Sequence, residues 1–129
     1  MAITVEWLVD ERVILSTLED KVTLKEVESW CETRKYMVDM GLPPVHHISD
    51  LRELNTEQID EKAVQKILHS MPRNLNLGSQ LRISHQPVET YIDTPVNDCE
   101  TRHFTTLEDA MNCLQQHDEF LQELDWQQA

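Results

Sequence analysis

The sequence predicts an α/β fold: one domain over residues 1–129, a mixed β-sheet of four to five strands packed with three to four helices. Three observations carry that expectation. The first residues alternate apolar and polar with a period of two, the mark of a half-buried strand. Two later stretches repeat apolar residues at three- and four-residue intervals behind hydroxyl caps, the mark of amphipathic helices. Around them lie short apolar runs bounded by proline and charge, in the order β-β-α-β-α-β-(α)-β-α. With 129 residues, 40% of them apolar and only two of them glycine, the chain has material for one core and none for a flexible linker.

Taken in order, Ile3, Val5, Trp7 and Val9 alternate with Thr4, Glu6 and Leu8 as the first strand of a hairpin. Asp10, Glu11 and Arg12 make the polar break, and Val13, Ile14, Leu15 and Leu18 supply the second strand. Thr23 and Glu26 stand at the spacing of a capping box, in which each side chain satisfies an orphan N–H of the other residue. Leu24, Val27, Cys31 and Val38, flanked by Trp30 and Met37, form the stripe of the first helix. Gly41 is placed as its C-terminal stop, and Pro43 and Pro44 forbid continuation. Val45 to Leu51 reads as a third strand. Glu57 to Met71 reads as a helix closed by Pro72, Asn74 to Gly78 as loop, and Leu81 to His85 as a fourth strand. Gln86 to Glu100 fits a short helix or an irregular loop, and Arg102 to Thr105 a fifth strand. Thr106 and Asp109 open the last helix, whose stripe runs through Leu107, Ala110, Met111, Leu114, Leu121 and Leu124.

Charge narrows the partners. Eleven Lys and Arg stand against 24 Asp and Glu, a formal charge of −13. Such a surface repels phosphate backbones and anionic lipid, so neither nucleic acid nor membrane is an expected partner; a basic or neutral protein surface fits better. The same charge also serves simply to keep a small domain soluble. No opening stretch has the form of a secretory signal, and no apolar run approaches the roughly 20 residues that cross a bilayer. Cys31, Cys99 and Cys113 are odd in number and lack metal-type spacing, which fits free thiols in a reducing cytoplasm.

Three segments carry a likeness to a known family. The opening run from Ile3 to Leu15, the run Gly41 to Leu54 with Asp50 after a buried stretch, and the closing run Arg102 to Leu114 resemble the SpoIIAA-like superfamily, which includes STAS domains and anti-sigma-factor antagonists. The resemblance implies a SpoIIAA-like fold and a regulatory, protein-binding role, with a homodimer as the expected assembly. In the antagonists, a serine heading the helix after the third strand is phosphorylated by a partner kinase. The corresponding window runs Asn55, Thr56, Glu57, Gln58, Ile59, Asp60 and holds no serine or glycine. Thr56 is the one hydroxyl left as a phosphoacceptor. Its acidic flank would repel a phosphate, and a helix cap or loop hydroxyl is the plainer role.

Few residues point to chemistry. His46, His47, Asp50, His85 and His103 fall in or beside strands, and His47, His85 and His103 are the set that neighbouring strands could gather around a metal. Adjacent His46 and His47, however, should face opposite sides of a sheet. Cys99, in the 86–100 segment with His103 four residues on, is the thiol whose surroundings could lower its pKa. Two isolated glycines cannot build a phosphate-cradling loop, so no nucleotide or other cofactor is expected. Trp7 and Trp30 belong to or border the core, whereas Trp126 lies beyond the last regular repeat, where an aromatic can anchor a partner. The expectation is a non-catalytic regulatory or protein-interaction domain. The alternative is a small-molecule or lipid-binding domain with a pocket between sheet and helices, lined by Met37, Met40, Met71 and Met111.

Overall fold

A computed structural model describes residues 3–55, 62, 63, 66, 76–85 and 101–122 of the chain. They form a five-stranded mixed sheet: β1 (Ile3–Val9), β2 (Val13–Asp20), β3 (Val45–Leu54), β4 (Leu77–Ile83) and β5 (Thr101–Phe104), side by side in that order. β1 pairs antiparallel with β2, and every later pair is parallel. Helix α1 (Leu24–Met40) connects β2 to β3, and helix α2 (Leu107–His117) follows β5.

The two helices cover opposite faces, and strand alternation decides which residue each meets. Under α1 lie Ile3, Ile14, Leu18, Val45, Leu51 and Leu77, packed with Val27, Trp30, Cys31 and Val38 of the helix. Under α2 lie Val13, Ile48, Leu81 and Ile83, with Ala110, Met111 and Leu114. A fully buried side chain such as Ile48 contributes about 2–3 kcal/mol through removal of its apolar surface from water.

Both signposted helix starts are present. Thr23 Oγ1 accepts from the Glu26 backbone N–H at 3.1 Å, and Glu26 accepts from the Thr23 N–H in return, a complete capping box. Thr106 Oγ1 accepts from the Asp109 N–H at 3.1 Å.

Other boundaries differ from the sequence reading, each for a tertiary reason. β4 begins at Leu77, inside the stretch read as loop, because Leu77 pairs with Val45 and fills the core beneath α1. Gly78 sits within this strand because the His46 ring packs against it; a Cβ there would stand 2.6 Å from Nδ1. β3 runs on to Leu54, paired with Asp20. Gly41 ends α1 with φ −85°, not in the left-handed conformation, and what requires glycine is space. A Cβ at that position would lie 2.7 Å from Val45 Cγ2 and 2.8 Å from the Glu11 carbonyl oxygen.

α2 stops at Asp118 instead of continuing through Leu124, and Leu121 reaches the core from the turn that follows. Of the helix expected over Glu57 to Met71, Lys62, Ala63 and Lys66 are described and helical. The segment 86–100, Thr56, Cys99 and Trp126 lie outside the described residues. Among those described, no helix is long and apolar enough to cross a membrane.

Candidate functional site

Three arrangements collect the polar side chains of the described residues. The first lies beneath α1. Ser16, on β2, and His47, on β3, point to the α1 face, and Ser16 Oγ stands 2.7 Å from His47 Nε2. Trp30 Nε1 donates to the same Oγ at 2.8 Å, and the indole and imidazole rings are 5.8 Å apart between centroids. Nearby, Arg34 Nη1 donates to Gln80 Oε1 at 3.2 Å.

A serine hydrogen-bonded to a histidine resembles a nucleophile with its base. Two features set it apart. Ser16 has no exposed surface, so no substrate carbonyl reaches it. Burial first, and then the Arg34 charge, hold the His47 imidazole well below its ordinary protonation range, so it is a poor acceptor of the proton that a base must take. With Trp30 donating into it, Ser16 Oγ directs its own proton at Nε2 when His47 carries its proton on Nδ1. The chain Trp30–Ser16–His47 thus satisfies three polar groups inside an apolar core.

The second arrangement lies on the other face, one residue away. His46 Nδ1 accepts from the Ser79 backbone N–H at 2.9 Å, which makes Nε2 the donor to Asp118 Oδ2 at 2.7 Å. Asp118 Oδ1 accepts from the Phe120 N–H at 2.9 Å, and the Arg12 guanidinium lies 4.4 Å from the Phe120 ring centroid. This knot fastens the end of α2 to the start of β3. A histidine whose two nitrogens are occupied in this way has no lone pair left for a metal.

The third is partly open. Asp50 accepts from Arg52 at 3.0 Å and 2.8 Å. Burial pushes the Asp50 carboxyl up, but the Arg52 hydrogen bonds and charge, with the His85 charge, outweigh it and hold the carboxyl below its usual range.

The expected metal set is not brought together by the described side chains. His47 is buried beneath α1 at a register partner of Gln80, while His85 is exposed five residues further along, roughly 16 Å at strand rise. His103 lies in β5 opposite Arg82, and its side chain lies outside the described residues. Among the described residues, no three His, Cys, Asp or Glu side chains are grouped to hold a metal ion. Cys31 is buried on the sheet-facing side of α1, and burial pushes its thiol up, away from the reactive thiolate.

A concavity of the described surface lies elsewhere. A groove of about 520 Å³ runs between β1 and the first half of α1. Ile3, Val5 and Trp30 are its apolar lining, Thr4, Thr23, Ser29 and Thr33 bring hydroxyls to it, and Lys25 and Glu26 are its charged residues. The three described methionines of the expected lining do not line it: Met111 is in the core under α2, Met37 packs against the cluster beneath α1, and Met40 is exposed; Met71 lies outside the described residues. Sequence reasoning missed Ser16 and Asp118, because their partners are set by the fold; it allowed a pocket between sheet and helices but assigned it a methionine lining that this groove does not have among the described residues.

No protein-family model, no curated protein and no solved structure matches this chain.

Proposed function

We propose that the chain is a non-catalytic regulatory or protein-interaction domain of the SpoIIAA-like type, working in the cytoplasm. One observation supports this most: Ser16, His46, His47 and Asp118, the described side chains best suited to chemistry, are buried and engaged with one another inside the core, while the open groove offers apolar surface and hydroxyls. Binding needs surface of that kind, and catalysis needs a reactive group within reach of it. The partner is another protein, and the chain itself is expected to form a homodimer.

The groove also favours a second reading, a small-molecule or lipid-binding domain, because its volume lies within the range of ordinary ligand pockets. Native mass spectrometry of freshly purified protein, beside a denatured sample, separates the two. The interaction reading predicts the mass of the bare chain, a whole multiple of it, or the chain plus another polypeptide. A small added mass that vanishes on denaturation would move the ligand-binding reading to the front.

A further inference from the structure

Resting on the interaction reading, we propose that the outer edge of β1 and the adjoining flank of α1 dock an extended segment of a partner protein, which adds as a strand and carries basic side chains.

β1 is the first strand of the sheet and pairs, among the described residues, with β2 alone. Alternate residues of such an edge direct N–H and C=O outward, a template for an added strand. The groove is lined by Ile3, Thr4 and Val5 of this same strand, and pockets beside an edge are where alternate side chains of an added strand are read.

The helix flank above continues the surface. Ser29, Thr33, Tyr36 and Met40 fall at i, i+4, i+7 and i+11, one side of α1, and the first two line the groove beside β1. Tyr36 and Met40, 66% and 61% exposed, extend that side past the groove. An aromatic and a methionine left in water, in line with an open strand edge, are the residue types enriched at protein interfaces.

Charge selects the occupant. A second copy would bring −13 against −13. The groove's own charged residues, Lys25 and Glu26, offset each other, and around it Glu6 on β1 and Glu28 and Glu32 on α1 are exposed, so an incoming strand with Lys or Arg gains where a copy of this chain loses. A small apolar molecule would fill the groove and leave Tyr36, Met40 and the strand edge uncovered.

The test is selection of a phage-displayed library of random dodecamers on the native protein, followed by hydrogen exchange with the selected peptides. Enriched peptides are expected to alternate apolar residues with Lys or Arg, to slow exchange across residues 3–9, and to bind more weakly at high salt. Ser29→Trp, which fills the groove, and Tyr36→Ala, which trims the flank, should each weaken binding at least about tenfold, while Glu108→Gln on α2 should not. Acidic or unpatterned peptides, protection away from β1, or no enrichment would overturn the proposal. Protection of β1 by self-association would also overturn it while leaving the interaction reading standing. A small molecule released from the native protein, with no enriched peptide, would remove both.

Discussion

His47 should make the protein lose stability in mild acid, by an amount the structure bounds. Its imidazole is held neutral by burial and by the Arg34 charge, so its folded protonation range lies below the ordinary 6.5. In the unfolded chain the same imidazole takes a proton as the pH falls through that value. The unfolded state therefore binds more protons, and stability falls as pH drops below about 6.5 and is flat above it. The slope reaches at most ~1.4 kcal/mol per pH unit, so between about pH 7 and about pH 5 this one group removes at most ~2 kcal/mol.

Other titrating groups act over the same window, and a difference measurement removes them. His47→Gln cannot take the proton, so its urea midpoint should fall less steeply with acid than that of the unsubstituted protein. The Gln variant begins less stable, because Ser16 loses its imidazole partner and Trp30 the ring packed beside it, and the gap should narrow toward about pH 5. Unfolding followed by Trp7 and Trp30 fluorescence gives both curves. Parallel curves would refute the claim that His47 is buried neutral.

Further outcomes follow from the same contacts. Asp118→Ala removes a charged acceptor and leaves a buried His46 N–H unmet, a loss of about 3 kcal/mol; for a domain of this size that lowers Tm by roughly 10 °C in a thermal scan. Gly41→Ala forces a methyl group against Val45 and the Glu11 carbonyl, and should cost about 1–3 kcal/mol by urea denaturation in spite of alanine's better helix propensity. Thr106→Ala should cost about 1 kcal/mol, and Thr23→Ala at least as much, since it breaks a reciprocal box where Thr106 makes one bond. Native thiol titration with peptide mapping should find Cys31 slow to react until urea is added.

Local rules made much of this legible. Period-two alternation located β1, an apolar run after a polar break located the start of β2, and hydroxyl caps located the starts of α1 and α2, because these signals rest on residues within one turn or one strand of each other. The same alternation placed His46 and His47 on opposite faces, where one meets Asp118 and the other Ser16. What escaped depended on distant partners. Gly78 reads as loop in the sequence, yet belongs to a strand because a histidine 32 positions earlier needs the space. Asp118 looks like one more polar residue on the outside of a helix, although the spacing to Leu121 would carry that helix onward; its bond to His46, 72 positions away, accompanies the stop. Ser16 looks like a break in a strand's apolar run, and its two partners come from α1 and β3.

The measurement nearest the central claim is the native reactivity of these buried groups. A serine-directed fluorophosphonate and a histidine-directed acylating reagent, applied separately to folded protein and mapped by mass spectrometry, should leave Ser16, His46 and His47 unmodified while His85 reacts, and in urea the acylating reagent should reach His46 and His47 as well. Rapid native labelling of Ser16 or His47 would contradict the account and make the Ser16–His47 pair the centre of an enzyme.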